Sequence, residues 1–254
     1  MTKRKDQNTR AQEKDELKRE VKEYNSRPKM KISLTKEEID KSGTILTEKQ
    51  NDFYKSIRNN ILTIVQGPAG TSKTFTSCYT ALRMLADRKI EKIIITKPIV
   101  ESSSNSLGFL PGDLNDKVYN YMKSYFTNFE KIIGKQTLSF LISNEIICVE
   151  TLNFMRGSTY DNSLMILDEA QNCDIREIVL WVTRLGKNSF GILSGDTNQF
   201  DIKKRDSKLL DFISMIDGIE NVCNFKFTSD DIVRNRFLIE IVNRYEKYKS
   251  ENNL

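Results

Sequence analysis

Histidine is absent from this sequence: none of its 254 residues is a histidine. Its absence excludes Ser-His-Asp hydrolysis, acid–base catalysis by imidazole and any zinc site with a histidine ligand. Cysteine is scarce, and Cys78, Cys148, Cys173 and Cys223 are widely spaced without a C-x-x-C pair. This pattern is typical of reduced, mostly buried thiols in a cytosolic protein, and it argues against a disulfide framework or a metal cage.

Long apolar runs are also missing. The longest, such as residues 61–65 and 93–95, are far shorter than the roughly 20 residues that span a bilayer. The first 20 residues contain basic side chains but no apolar core segment, so we expect no secretory signal and a cytoplasmic location. Hydrophobic residues nevertheless make up 38% of the sequence, which is enough for a sizeable core and argues against disorder of the whole chain.

Most of the net charge of +5 lies in residues 1–30, which carry ten Lys and Arg against six Asp and Glu. This segment is rich in helix-forming residues but has almost no apolar stripe, so we predict a separate N-terminal arm, helical or disordered. Two interpretations stay open: a solvated charged tail without a partner, or an arm that contacts nucleic-acid phosphates. Residues 31–254 are predicted to form one domain, because no Gly- or Ser-rich linker divides them.

After Met30 short apolar runs alternate with helical segments. Such alternation predicts βαβ units, that is, an α/β fold with a buried, mostly parallel sheet flanked by helices. The predicted strands are residues 61–66, 92–96, 145–149, 164–167, 190–194 and 221–227. The predicted helices lie near residues 73–88, 114–133, 174–185, 207–216 and 230–248.

One predicted helix carries apolar and aromatic residues at helical spacing. They are Val118, Tyr121, Met122, Tyr125, Phe126, Phe129, Ile132 and Ile133. Aromatic side chains can stack on nucleic-acid bases. Steps of three and four residues are, however, what a helix facing a core needs, so we favour core packing over base stacking for this stripe.

The strongest functional motif is ILTIVQGPAGTSKT at residues 61–74, in which an apolar strand runs through a turn into a helix. Backbone N–H groups at such a helix start, together with the helix dipole, bind anionic phosphates. Lys73 is expected to reach the β- and γ-phosphates, and the Thr74 hydroxyl to bind Mg²⁺. The predicted nucleotide-binding residues of this loop are Gly67, Pro68, Ala69, Gly70, Thr71, Ser72, Lys73 and Thr74.

Ser72 departs from the pattern G-x-x-x-x-G-K-[ST], which has glycine at this position. Glycine there leaves room beside the phosphates, because it has no Cβ. We therefore expect Ser72 to perturb the loop, weaken nucleotide affinity or slow hydrolysis.

Two further predicted strands end in polar residues. In LMILDEAQ at residues 164–171, Asp168 is placed to hold Mg²⁺ through Thr74 or water, and Glu169 to orient or deprotonate an attacking water. GILSGDTNQFD at residues 191–201 contains Gln199, whose amide can sense a γ-phosphate by hydrogen bonding. Each segment alone is also explained by a chance pair of acids or a solvated turn. Their order after a phosphate loop favours a nucleotide site.

Together these segments closely resemble the PhoH family of phosphate-loop ATPases, which are related to superfamily 1 helicase cores. The segments are GPAGTSKT at 67–74, KPIVESSSNSLGFLPGD at 97–113, FMRGSTYDNSLMILDEAQN at 154–172, TRLG at 183–186 and GDTNQFD at 195–201. LGFLPGD is the most specific of them, and the resemblance runs from about residue 50 to residue 234. A short chain with a single domain is similar to the forms encoded by bacteriophages, which work in the bacterial host cytoplasm.

The resemblance implies a RecA-like P-loop NTPase fold, binding and hydrolysis of ATP with Mg²⁺, and action on single-stranded nucleic acid, RNA before DNA. It also suggests a homo-oligomer, with a hexameric ring as its form. Gln50 matches the glutamine with which such ATPases read adenine, the alternative being a solvated glutamine at a helix start. Arg234 matches an arginine that stabilises γ-phosphate charge, the alternative being a surface arginine. Arg156 and Arg184 also match family positions, and the three are not ranked.

Two other functions share these motifs. A P-loop kinase has the same kind of phosphate loop, although Glu169 directly after Asp168 favours water as the acceptor. A nucleotide-sensing module, in which Ser72 suppresses turnover, is the alternative that is not an enzyme.

Overall fold

The computed structural model describes residues 34–98, 122–196, 208–233 and 236–252. The N-terminal arm, the LGFLPGD segment, Gln199 and Arg234 lie outside these residues, so what was predicted for them stays a prediction. The described residues all belong to one compact unit, Leu34–Leu254. The division into an arm of residues 1–30 and a domain of residues 31–254 also stays a prediction.

The apolar runs predicted as strands pair into one parallel sheet of six strands within the described ranges. Strands β1 and β4 are buried along their whole length, as expected where helices cover both faces of a sheet. The predicted α/β fold with a parallel sheet flanked by helices is therefore confirmed. In the order β3-β2-β4-β5-β1-β6, the sheet is built from β1 Leu62–Gln66, β2 Lys92–Thr96, β3 Ile147–Glu150, β4 Ser163–Leu167, β5 Phe190–Gly195 and β6 Val222–Lys226.

Helices cover both faces of this sheet. In the described parts of the chain they are α1 Lys36–Asp40, α2 Glu48–Asn59, α3 Lys73–Ala86, α4 Lys123–Ser143, α5 Ile175–Val182, α6 Leu209–Met215 and α7 Arg236–Asn252. The sequence did not predict α1 and α2. A signal for α2 was present: Thr47 and Gln50 form a capping box, and Phe53 and Ile57 are buried one helical turn apart.

Helix α4 carries the aromatic stripe. The helix was predicted to end at residue 133, but it continues to Ser143 after a break at Gly134, whose φ of 77° favours glycine. The described residues of the stripe lie in the core, so the prediction of core packing is confirmed for them, while Val118 and Tyr121 lie outside the described residues. Five of them are at most 5% exposed, namely Met122, Tyr125, Phe126, Phe129 and Ile132.

The core lies in two layers, one on each face of the sheet. Ile93 and Ile95 of β2 pack with α2, α3 and α4, whereas Ile94 between them packs on the other face with Trp181 of α5. This alternation follows from the two-residue period of a strand. All four cysteines are free thiols, of which Cys78 and Cys173 are buried. No described helix is long and apolar enough to cross a membrane.

Candidate functional site

The strand order brings the three functional segments to one edge of the sheet. β5 lies between β1 and β4, so the phosphate loop after β1, the acid pair after β4 and the end of β5 are neighbours at the carboxyl edge. Ligands of open α/β sheets bind at this edge. A cleft of about 510 Å³ lies there, lined by Ala69, Gly70, Ser72, Lys73, Thr74, Phe75, Lys97, Ser124, Asn128, Lys131, Asp168, Glu169, Ser194, Gly195 and Asp196.

Close packing at Gly67 and hydrogen bonds from two side chains hold the backbone of the phosphate loop in place. Gly67 has a φ of 149°, and a Cβ on this residue would lie 2.7 Å from the Cβ of Phe227, so only glycine fits. The buried Thr71 hydroxyl donates to the Pro68 carbonyl at 3.0 Å. Lys73 donates from Nζ to the carbonyls of Gly67 and Pro68, the latter at 2.9 Å. The lysine side chain thus lies across the loop.

Burial acts on the charge of Lys73. It lowers the pKa of this ammonium group, and the negative charges of Asp196, Asp168 and Glu169 oppose that effect. Three carboxylates therefore face the lysine across the cleft. A bound phosphate would give the ammonium group a negatively charged partner in place of the neutral loop carbonyls.

Ser72 adopts the left-handed conformation, with φ 64° and ψ 28°, and its side chain forms no capping hydrogen bond to helix α3. A side chain in this region costs about 1–2 kcal/mol, because the Cβ approaches the following carbonyl. The glycine of the usual pattern is thereby explained by backbone conformation as well as by space for the phosphates.

We expect Ser72→Gly to leave the free energy of unfolding unchanged or to raise it by up to about 1.5 kcal/mol. Relief of about 1–2 kcal/mol of strain is offset by the 0.5–1 kcal/mol that glycine loses in conformational entropy. Ser72→Val should destabilise the protein instead, because a β-branched residue is least compatible with positive φ. Urea denaturation of both variants measures this, and a loss of 2 kcal/mol or more (roughly) with glycine would contradict the strained conformation.

The acid pair follows β4 directly. Asp168 is only 7% exposed, and its backbone N–H donates to the carbonyl of Thr96 at 2.9 Å. Burial, followed by repulsion from Glu169, raises the pKa of Asp168 to about 6, although Lys97 and a hydrogen bond with Ser194 act in the opposite direction. Burial and a like charge disfavour the ionised form of Asp168, and a bound cation would stabilise that form. This agrees with the predicted role of Asp168 in holding Mg²⁺.

Glu169 is placed by an unusual backbone and by two side chains. Its φ is 54°, a left-handed conformation that concentrates at functional sites when it occurs outside glycine. Its Oε2 accepts a hydrogen bond from Nε2 of Gln171 at 2.7 Å, and its Oε1 lies 3.8 Å from Nζ of Lys97. The carboxylate is therefore oriented by an amide on one side and by a cation on the other.

Gln171 was not among the residues predicted to act in the site. It is 2% exposed, and its Oε1 accepts the backbone N–H of Asp196 at 3.1 Å while its Nε2 donates to Glu169. A Cβ on Gly195 would lie 3.0 Å from the Oε1 of Gln171, so the glycine allows this close approach. The amide ties the acid pair after β4 to the end of β5.

The donors predicted for Mg²⁺ fit that ion. Thr74 and Asp168 both line the cleft, and both offer oxygen atoms, the ligands that Mg²⁺ prefers. Mg²⁺ typically takes one or two protein carboxylates and completes its shell with substrate phosphates and water. The hydroxyl and the carboxylate match that requirement.

Gln50 lies in the first turn of α2 and is 6% exposed, so the alternative of a solvated glutamine is wrong. Its Oε1 accepts the backbone N–H of Thr47 at 3.0 Å. A second cleft, of about 420 Å³, begins at the same helix end, where Thr47 and Asp52 face Asp230 and Val233. The backbone N–H of Val233 donates to the carbonyl of Gly70 in the phosphate loop at 3.2 Å. The reading of adenine by Gln50 stays a prediction.

The two described arginines that match family positions lie away from the cleft lining. Arg184 is engaged elsewhere: its guanidinium donates to the carbonyls of Leu180 and Ser158 at 3.3 and 3.1 Å and to the Thr183 hydroxyl at 3.2 Å. It therefore fastens the loop after β3 to helix α5. Arg156 is exposed in that same loop.

Comparison with known proteins decides the family. Residues 44–246 match the family model of PhoH, described as PhoH-like protein. The chain belongs to the PhoH family. It is 35% identical over 215 residues to the PhoH-like protein of Bacillus subtilis, covering 84% of this chain and 67% of that protein. It is 31% identical over 218 residues to Protein PhoH of Escherichia coli, covering 84% of this chain and 61% of that protein.

This PhoH-family chain thus spans about three fifths to two thirds of the length of these relatives. Among solved structures, the large terminase from the thermophilic bacteriophage D6E is similar with a TM-score of 0.49 and 12% identity, covering 81% of this chain and 50% of the terminase. The resemblance found in the sequence is confirmed, and the protein is a PhoH-like P-loop NTPase. The roles of individual residues stay predictions.

Proposed function

We propose that this PhoH-family protein binds Mg²⁺-ATP in the cleft at the carboxyl edge of the sheet, hydrolyses it, and acts on single-stranded nucleic acid, RNA first. One observation carries the proposal: Lys73, Asp168 and Glu169 line the same cleft. A cation for phosphates, a carboxylate for the metal and a second carboxylate for water are what phosphoryl transfer to water requires.

Each residue has a distinct task in this proposal. The N–H groups of the phosphate loop and the Lys73 ammonium bind the phosphates, for which Lys73 exchanges its contacts with the carbonyls of Gly67 and Pro68. Thr74 and Asp168 would hold Mg²⁺, which would supply positive charge to offset that of the phosphates. Glu169, held by Gln171 and Lys97, takes a proton from the attacking water.

An arginine completes the site in this proposal, either in cis or from a neighbouring subunit. Hydrolysis is accelerated when an arginine stabilises the γ-phosphate, in cis or from another chain. Among the described residues that line the cleft there are lysines but no arginine. Arg234, or an arginine of a neighbouring copy in a ring, would supply that charge, and sedimentation with and without nucleotide tests whether a homo-oligomer forms.

The charge distribution supports a nucleic-acid partner. The arm of residues 1–30 has four positive charges in excess, whereas the rest of the chain has only one. Each phosphate that a protein neutralises on a single strand contributes about 0.7 to the salt dependence of log affinity. We expect deletion of residues 1–28 to flatten this slope by about 2 to 3, as three or four phosphate contacts would require.

Fluorescence anisotropy of a labelled single-stranded RNA at several salt concentrations measures the slope for both proteins. Basal ATP hydrolysis should survive the deletion, because every residue of the proposed cleft lies downstream of it. An unchanged slope would mean that the arm is a solvated tail. If neither protein binds RNA at low salt, the nucleic-acid part of the proposal is wrong. That result would favour a nucleotide-sensing module or a P-loop kinase.

A further inference from the structure

The loop that follows β3 presents an aromatic ring and a cation to solvent. Phe154 is 77% exposed, and Arg156 is also exposed. Met155, which lies between them, is fully buried, and Leu152 is only 6% exposed. Buried residues anchor the loop on both sides of the phenylalanine, while the ring itself contributes little to the core.

Hydrogen bonds hold this loop in place. The backbone N–H groups of Phe154 and Met155 donate to the carbonyls of Thr151 and Leu152 at 3.0 and 3.3 Å. The N–H of Ser158 donates to Met155, and the guanidinium of Arg184 donates to the Ser158 carbonyl at 3.1 Å. The exposed ring is therefore presented on a fastened segment and not on a loose one.

The same loop is connected to the proposed catalytic residues. The Thr96 hydroxyl at the end of β2 donates to Sδ of Met155 at 3.6 Å. The Thr96 carbonyl accepts the backbone N–H of Asp168 at 2.9 Å. β2 separates β3 from β4, so the ends of these two strands lie about 10 Å apart, twice the spacing of neighbouring strands. The loop thus begins near the end of the strand that Asp168 follows.

We propose that Phe154 and Arg156 form a subsite that stacks one base of single-stranded nucleic acid, RNA first. The proposal rests on the nucleic-acid function proposed above and names the residues that serve it. An exposed aromatic face stacks any base, and a neighbouring guanidinium binds the adjacent phosphate or stacks in turn. A single exposed ring with an exposed guanidinium two residues further along the chain suits a base and its phosphate better than it suits a protein partner, which needs a larger apolar surface.

The test uses a single-stranded RNA with one 2-aminopurine, whose fluorescence falls when the base stacks on an aromatic ring. Phe154→Ala should weaken binding by about 5- to 150-fold, the range measured for loss of one stacked base, and should abolish the quenching. Phe154→Trp should keep the RNA affinity and the quenching within about twofold of the wild type, because an indole ring stacks on a base at least as well as a phenyl ring does. Arg156→Ala should reduce the salt slope by about 0.7, the contribution of one phosphate.

Two exposed residues away from the loop serve as matched controls. Ile219→Ala removes an exposed apolar side chain, and Arg88→Ala removes an exposed guanidinium from the turn after α3. Both should bind the RNA like the wild type. Thermal melts should be unchanged for Phe154→Ala, since the ring is exposed.

The outcomes separate this inference from the proposed function. If the wild type binds and Phe154→Ala binds as tightly as Ile219→Ala, the subsite is refuted while the nucleic-acid function stands. If the wild type does not bind RNA at low salt, both are refuted. If Phe154→Ala alters sedimentation but not RNA affinity, the ring is a protein contact and the subsite is likewise refuted.

Discussion

Replacing Glu169 by glutamine is expected to lower ATP turnover by about 100-fold or more while ATP still binds. The amide keeps the size of the side chain and can still accept the hydrogen bond from Gln171, which is 2.7 Å long in the wild type. It cannot take a proton from water, which is the task proposed for the carboxylate. Phosphate release gives the turnover, and a fluorescent ATP analogue gives the affinity.

Glu130→Gln is the matched control for this substitution. Glu130 is an exposed carboxylate on α4 that does not line the cleft, so its loss should change neither turnover nor affinity. If Glu169→Gln abolished ATP binding, the residue would hold the metal or the nucleotide and the assignment of a base would be wrong. Turnover equal to that of the wild type would contradict the assignment as well.

Replacing Asp168 by asparagine is expected to have two opposite effects: a more stable free protein and weaker Mg²⁺-dependent ATP binding. Burial and the charge of Glu169 raise the pKa of Asp168 from 3.8 to about 6. A difference of about two pH units amounts to about 3 kcal/mol against the folded state when the group is ionised. Asparagine removes that charge, and it also removes the proposed metal ligand.

The pH dependence of stability identifies this cause. Between pH 3.8 and about 6 the folded protein holds a proton on Asp168 that the unfolded chain has lost, so wild-type stability falls as the pH rises through this window. The advantage of Asp168→Asn should be full above about pH 6 and vanish below about pH 4. Urea denaturation at several pH values measures it. A variant less stable than the wild type at pH 8 would contradict the burial of an uncompensated charge.

The strands of the sheet could be predicted from the sequence because they are short, continuous apolar runs. β1, β2 and β4 are apolar runs that are buried on both faces, which makes them distinct from amphipathic helices. The phosphate loop and the acid pair were also found, because their residues are adjacent in the sequence. Their meeting in one cleft follows from parallel strands, whose carboxyl ends share one edge.

Long-range contacts were beyond the reach of sequence patterns. Gln171 links Glu169 to Asp196, which lies 25 residues after Gln171 in the chain. No local spacing in the sequence predicts a hydrogen bond between residues so far apart. Arg184 matched a family position, yet its guanidinium is used to fasten the loop at Ser158, 26 residues earlier. Sequence patterns indicate which residues are polar, whereas packing decides which polar groups meet.

The backbone conformation of two residues in the site could not be predicted from the sequence either. Ser72 and Glu169 both adopt left-handed conformations. Glycine in a sequence indicates that positive φ is possible, whereas serine and glutamate do not. Both residues lie in the cleft. Strain that is retained at two positions of one site is typical of functional geometry, where the surrounding structure outweighs local preference.

The most direct test of the account is phosphate release from ATP by the wild-type chain beside Lys73→Ala, with and without Mg²⁺. The account predicts release by the wild type only when Mg²⁺ is present, and none above background by Lys73→Ala, whose circular dichroism should match the wild type. ATP that binds to the wild type without any phosphate release would mean a nucleotide-sensing module. Release that persists in Lys73→Ala would contradict the cleft as the place of hydrolysis.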